Sequence, residues 1–194
     1  MAVARSIAQL SPSNRKSKTW TVIIETPRGS RNKYTFDEQR GLFKLGGVLP
    51  AGAVFPFDFG FIPSTKGEDG DPLDVLLLMD EPAFPGCLIE ARLLGVIEAE
   101  QTEEDGETVR NDRLIAVAGE AHTHGEVESL DDLPERVLEE IEHFFISYND
   151  FKGKRFRPLG RFGADRARKL IEEGIKARSP GKKRAASRGR KRSG

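Results

Sequence analysis

At 194 residues, with 37% hydrophobic and 32% charged side chains, the chain is sized for one ordinary domain with a full core and is too short for two. Its formal charge of zero hides an asymmetry: residues 179–194 hold seven bases and no acid, leaving 24 bases against 31 acids elsewhere, which is not the balance of a nucleic-acid-binding domain. A single cysteine, Cys87, excludes an internal disulfide and fits a reducing, cytoplasmic setting, and the longest aliphatic run, residues 75–79, falls far short of the ~20 residues of a membrane helix.

Residues 1–18 lack the apolar stretch of a secretory signal and contain Arg5, Arg15, Lys16 and Lys18 without an acid, so a disordered basic arm is expected ahead of a domain spanning 19–178. Residues 20–25 are rich in β-branched side chains and stop at Pro27-Arg28-Gly29, and residues 33–36 alternate polar and aromatic; the two read as a hairpin. Residues 42–45 give a third strand. Between Pro50 and Pro63, three prolines, two glycines and four phenylalanines predict an irregular loop packed by aromatic rings. The hexapeptide Asp69-Gly70-Asp71-Pro72-Leu73-Asp74 is a turn ahead of an apolar strand at 75–79. Further strands are expected at 88–99 and 114–118, with an acidic turn at 102–107.

The period then changes. Asp131-Asp132-Leu133-Pro134-Glu135 reads as a helix start, with an aspartate cap and a proline in the first turn. Val137, Leu138, Ile141, Phe144, Phe145 and Tyr148 share one helical face, and a second helix over about 164–177 follows a glycine-containing joint. Strands followed by helices predict an α+β fold, a small closed β-barrel with flanking helices. The basic stretch 179–194 is expected to be a disordered tail capable of weak, salt-dependent contact with polyanions.

Three carboxylates within six residues repel one another, and a hard divalent cation such as Mg²⁺ or Mn²⁺ relieves that repulsion. Glu25 and Lys33 sit where a hairpin brings an acid and a base to one rim, and an ammonium there is a natural phosphate ligand. Arg113 precedes a strand and Tyr148 ends the long helix, both within reach of an anion. His122 and His124 have the alternate spacing of one strand face, but with no third ligand in sight they read as surface histidines, and Cys87 reads as a small buried residue.

In order, Ile24-Glu25-Thr26-Pro27, Lys33-Tyr34, Phe55-Pro56, Phe59-Gly60-Phe61-Ile62, the acidic hexapeptide, Pro85-Gly86, Leu114-Ile115-Ala116-Val117, Asp132-Leu133-Pro134 and His143-Phe144-Phe145 with Tyr148 make a run over about residues 20–175 that resembles the soluble family I inorganic pyrophosphatases. The resemblance implies a barrel related to the oligonucleotide-binding fold, Mg²⁺-dependent hydrolysis of pyrophosphate to two phosphates, and assembly into a homo-oligomer, a hexamer by family analogy. It implies that Asp69 and Asp74 hold metal, that Asp71 acts with metal to activate the attacking water, that Glu25 stands near the metals, and that Lys33, Arg113 and Tyr148 bind phosphate. It also marks departures: Thr35, Gln101 and Asn111 where the family has acids, Phe55 and Phe59 where it has tyrosines, Arg113 and Asn149 where it has lysines, and no arginine near Gly46-Gly47. Those departures leave two alternatives, a phosphohydrolase acting on another diphosphate and a weakly catalytic binding protein whose tail contacts polyanions.

Overall fold

The computed structural model describes residues 6–179. Its elements in chain order are Ser13–Asn14 (β1), Thr19–Thr26 (β2), Asn32–Asp37 (β3), Leu42–Val48 (β4), Asp58–Phe61 (β5), Asp74–Leu78 (β6), Leu88–Thr102 (β7), Thr108–Arg110 (β8), Arg113–Ala118 (β9), Glu135–Asp150 (α1), Arg155–Gly163 (β10) and Ala164–Arg178 (α2). The β-branched run in β2 is buried from Thr21 to Thr26, and a strand covered on both faces needs partners along both edges. β2 finds them in β5 and in the first residues of β7. β6 pairs with β5, β9 lies parallel to β6, and β7 pairs antiparallel with β9, so the hydrogen bonding follows a ring β2-β5-β6-β9-β7-β2. The far half of the 15-residue β7 also carries β8 and β10.

Val22, Ile24, Leu76, Leu94, Ile97 and Ile115 belong to one continuous buried cluster that also takes in Ile141 and Phe145 of α1 and Ala167 and Ile171 of α2. Leu138, Ile141, Phe145 and Asn149 recur at three- and four-residue steps, which places them on one stripe of α1. The result is a mixed α+β fold with two helices. Among the described residues no helix is long and apolar enough to cross a membrane.

Several expectations change on inspection. β2 and β3 do not form a hairpin: both edges of β2 are taken, and β3 turns back onto β4 through a tight bend in which the Gly41 amide donates to the Asp37 carbonyl (2.8 Å). Side chains stitch β3 to β2 instead. The Glu25 carboxylate accepts from the Phe36 amide (2.7 Å) and the Thr26 hydroxyl from the Tyr34 amide (3.0 Å). The supposed loop between Pro50 and Pro63 contains β5, because its prolines flank the strand rather than interrupt it and Gly60 lets β5 approach β2 closely. The joint before the second helix is β10, an edge strand, where Pro158 is tolerated beside a register shift. Asp131 and Asp132 lie in a 3-10 turn, Leu130–Asp132, closed by a Ser129–Asp132 capping box, and α1 begins only after Pro134.

The arm expected over 1–18 is ordered where it is described. Ala8 is buried, its carbonyl accepts from the Ser64 amide (3.0 Å), and β1 pairs with β2. Apart from Ser179, the basic tail lies outside the described residues.

A Cβ built on Gly60 would lie 2.1 Å from the Ile23 carbonyl oxygen. Gly60→Ala is therefore expected to destabilise the chain by about 2–3 kcal/mol, read as a lower urea midpoint with an unchanged slope, whereas Gly47→Ala, with nothing within 4 Å of the added carbon, leaves the midpoint nearly where it was.

Candidate active site

The aspartate turn is built from behind. Thr65 is buried; its hydroxyl donates to the Ile62 carbonyl (2.6 Å) and accepts from the Leu73 amide (3.0 Å), while the Ile62 amide donates to the Leu73 carbonyl (3.0 Å). These bonds draw the two ends of the segment together. Inside it the Gly67 amide donates to the Asp71 carbonyl (2.7 Å), the Asp71 amide donates to Asp69 Oδ1 (3.1 Å), and Gly70 takes φ +93°, which side chains with a Cβ avoid. The Lys66 amide donates to the Gly174 carbonyl (3.0 Å), tying the turn to α2. Asp69 and Asp71 keep solvent contact, yet the protein around the cleft raises both carboxyls above their ordinary range. Repulsion adds to this, between Asp71 and Asp69 in one case and from Glu25 on Asp71 in the other. Burial, partly offset by Arg113, pushes Asp74 up to about 6.

A second wall comes from β2 and β3. Lys33 Nζ lies 2.9 Å from Glu25 Oε2, so side chains eight residues apart meet even without a hairpin ladder. The ammonium sits 4.0 Å from the centre of the Phe59 ring and 5.8 Å from that of Phe55. Tyr148 packs edge-on to Phe55 and stacks on Phe144, and burial raises its phenol pKa.

The third wall joins β9, β7 and the loop after α1. Arg113 is buried, its guanidinium 4.7 Å from the Phe145 ring centre, with Nη1 2.8 Å from Asp74 Oδ2 and also bonded to Asn111 Oδ1. Its Nε is buried with no hydrogen-bond partner among the described residues. Asn111 Nδ2 donates to Gln101 Oε1 (3.2 Å), Gln101 Nε2 donates to Glu103 Oε1 (2.6 Å), and Lys154 Nζ lies 2.5 Å from Glu103 Oε2.

All seven expected site residues, Glu25, Lys33, Asp69, Asp71, Asp74, Arg113 and Tyr148, line one cleft of about 1260 Å³. Glu103, from the acidic turn expected at 102–107, lines it too, as do Lys66, Lys152 and Lys154, which are not among the expected residues; the pattern Lys152-Gly153-Lys154, two bases around a turn glycine just after the helix that ends near Tyr148, is the signal the sequence offers for the last two. Asp112 faces away, its carboxylate accepting from the Ala99 amide (2.9 Å) and pairing with Arg110 (2.7 Å). His122 and His124 are on no strand: the Asp80 carboxylate accepts from the His122 and Thr123 amides (both 2.8 Å), which marks a turn. Cys87 is only partly buried.

The donor set around Asp69, Asp71 and Asp74 is carboxylate oxygen, the chemistry that suits a hard divalent cation, and burial in the first place makes each of these charges costlier to hold without one. As the side chains stand, no three His, Cys, Asp or Glu groups among the described residues are close enough together to enclose an ion.

The sequence profile of the inorganic pyrophosphatase family matches residues 22–179. The chain is 42% identical over 156 residues to the inorganic pyrophosphatase of Halalkalibacterium halodurans, covering 80% of this chain and 93% of that one. It is 39% identical over 165 residues to that of Synechocystis, covering 85% and 95%. The crystal structure of inorganic pyrophosphatase from Thermus thermophilus superposes with a TM-score of 0.81 at 35% identity, over 90% of this chain and 99% of that one.

A carboxyl whose pKa is raised by folding holds its proton longer in the native state than in the unfolded chain, so its contribution to stability is lost as pH rises from about 4 through about 6. Asp74→Asn removes that loss. In metal-free buffer the variant's urea midpoint, compared with the wild type, is expected to improve between pH 4 and pH 6 and to hold that gain above pH 7; a pH-independent difference would contradict the burial of Asp74.

Proposed function

The chain belongs to the inorganic pyrophosphatase family and hydrolyses inorganic pyrophosphate to two phosphates, and we propose that it does so at the aspartate turn, with Asp71 as the group that takes the proton from the attacking water. The observation that supports this assignment is the shared cleft: three carboxylates on one wall face Lys33, Arg113 and Tyr148 on the others. Asp69 and Asp74 are the residues that would hold Mg²⁺, together with Asp71. When bound, the cation supplies positive charge against the diphosphate and makes water more acidic. Glu25, with one oxygen on Lys33 and the other on the Phe36 amide, adds negative charge to this group rather than a free oxygen.

The protein's own part in the reaction follows from where its charges sit. Lys33 and Arg113 hold phosphate oxygens from two sides, and Tyr148 offers a hydroxyl donor between them. Asp71 accepts a proton as water oxygen bonds to one phosphorus; the bridging P–O bond breaks, and the leaving phosphate regains a proton from solvent. The raised pKa of Asp71 brings its basicity nearer to what proton abstraction near neutral pH needs.

The finer architecture and setting belong to the same proposal. The ring of five paired strands supports a small closed barrel of the oligonucleotide-binding type, in one domain that also takes in β1. Exposed Leu42 and Leu45 on the β3–β4 ribbon support self-association, for which the family analogy suggests a hexamer. The lone cysteine is consistent with a cytoplasmic place of work.

Phosphate release from pyrophosphate is expected to require Mg²⁺ and to stop on chelation. Asp71→Asn, nearly isosteric but unable to take the proton, is expected to lower kcat by about 10³-fold while the protein still unfolds at a similar urea concentration. A variant within tenfold of wild type would remove Asp71 from the role of base.

A further inference from the structure

The third wall is a chain of side chains bonded end to end: Arg113 to Asn111, Asn111 to Gln101 (3.2 Å), Gln101 to Glu103 (2.6 Å) and Lys154 to Glu103 (2.5 Å). The two ends fix how the amides lie. A guanidinium only donates and a carboxylate only accepts, so Asn111 must turn its oxygen to Arg113, Gln101 its nitrogen to Glu103, and the remaining oxygen and nitrogen meet in the middle. Each amide oxygen thereby already accepts an N–H bond, and each Glu103 oxygen is engaged, one by Gln101 and one by Lys154. Asp112, the adjoining acid, points away to Arg110. A hard cation favours charged oxygens, and on this wall Gln101 and Asn111 are neutral while the charge of Glu103 is already met by Lys154.

What the wall presents is positive charge. Lys152 Nζ lies 4.4 Å from the Tyr148 ring centre, lining the cleft as Lys154 does, and makes no ion pair among the described residues. Asn149, at the position where the family resemblance implies a lysine, is buried and donates its amide to the Phe145 carbonyl (2.8 Å), so it brings no charge to the cleft.

We infer that this wall takes no metal, that cations are confined to the aspartate turn, and that the phosphate oxygens facing the wall are held directly by Lys152 and Arg113. The inference deepens the reading of the cleft as a pyrophosphate site and rests on it. Packing against the cleft, and then the nearby charge of Lys154, lower the Lys152 ammonium pKa, with Glu103 offsetting part of the shift. Arg113 spends all of its bonds to Asp74, Asn111 and Asp112 through Nη1.

The test counts ions. Mn²⁺ is titrated calorimetrically into full-length protein saturated with imidodiphosphate, a diphosphate analogue with a nitrogen bridge. The isosteric pair Gln101→Glu with Asn111→Asp breaks the chain and sets free carboxylates side by side, so it is expected to bind at least one ion more than wild type; equal counts overturn the inference. If that pair does not fold, the count for Asn111→Asp alone decides in the same way.

Lys152→Gln is expected to bind orthophosphate about tenfold more weakly, as for loss of one charge-assisted contact, with its Mn²⁺ count unchanged. Unchanged phosphate affinity, or a lost ion, overturns the assignment of Lys152. Should wild type release phosphate from pyrophosphate while Lys152→Gln binds orthophosphate normally, this inference alone fails. Should wild type neither turn over pyrophosphate nor bind phosphate, the functional reading fails with it.

Discussion

A single buried hydroxyl governs the acidic turn. Thr65 ties Ile62 to Leu73 across a segment that carries Asp69 and Asp71 and ends at Asp74. Their charges oppose one another along the turn: Asp71 raises the cost of ionising Asp69, and Asp69 that of Asp74. The Thr65 bonds, the Ile62–Leu73 backbone bond and the anchor of Lys66 on Gly174 hold the strand ends and the α2 face in a fixed relation. That restraint holds the three carboxylates on one wall of the cleft, where their charge favours a cation. The stability lost at the turn is supplied by the ring behind it, where Val75, Leu76, Leu77 and Leu78 are fully buried directly after Asp74.

The two sides of the cleft answer the same electrostatic problem differently. On the side of the aspartate turn, oxygens with raised carboxyl pKa values remain available to a positive ion. Across from it, amides stand where acids are expected from the family, and they are consumed in a bonded series that also fixes Arg113. A carboxylate pair at those two positions would face oxygen to oxygen and require an intervening ion, whereas two amides bridge the same gap without one. The pocket's substitutions are thus coupled: Gln101, Asn111 and Arg113 form one unit, continued by Glu103 and Lys154.

Much of this was legible in the chain. The acidic hexapeptide, with a glycine able to take positive φ between two aspartates and an apolar run behind it, announces both its turn and its chemistry. The apolar stripe of α1 is equally plain from its spacing. Alternation in β2 and β3 suggests a hairpin, but local pattern does not say which edge is free, and β2 has none to offer. β5 was hidden by Pro56 and Pro63, which mark where a strand may begin and end but resemble punctuation against one. Pro158 hid β10 in the same way, since an edge strand accepts a residue that a central strand refuses. Lys152 and Lys154 escaped notice because a base after a helix is ordinarily solvated, and only the fold brings them beside Tyr148 and Glu103.

The replacement of two expected tyrosines by Phe55 and Phe59 bears on Lys33 in particular. Its ammonium rests over the Phe59 ring and against Glu25, so one side of its hydration shell has been exchanged for fixed aromatic and carboxylate surface. With no ring hydroxyl at either position, the remaining N–H bonds have no phenol oxygen to satisfy and are left for an arriving oxygen. Such a cation is poised in advance, and its grip on an anion falls less steeply with added salt than that of a lysine swinging freely in water.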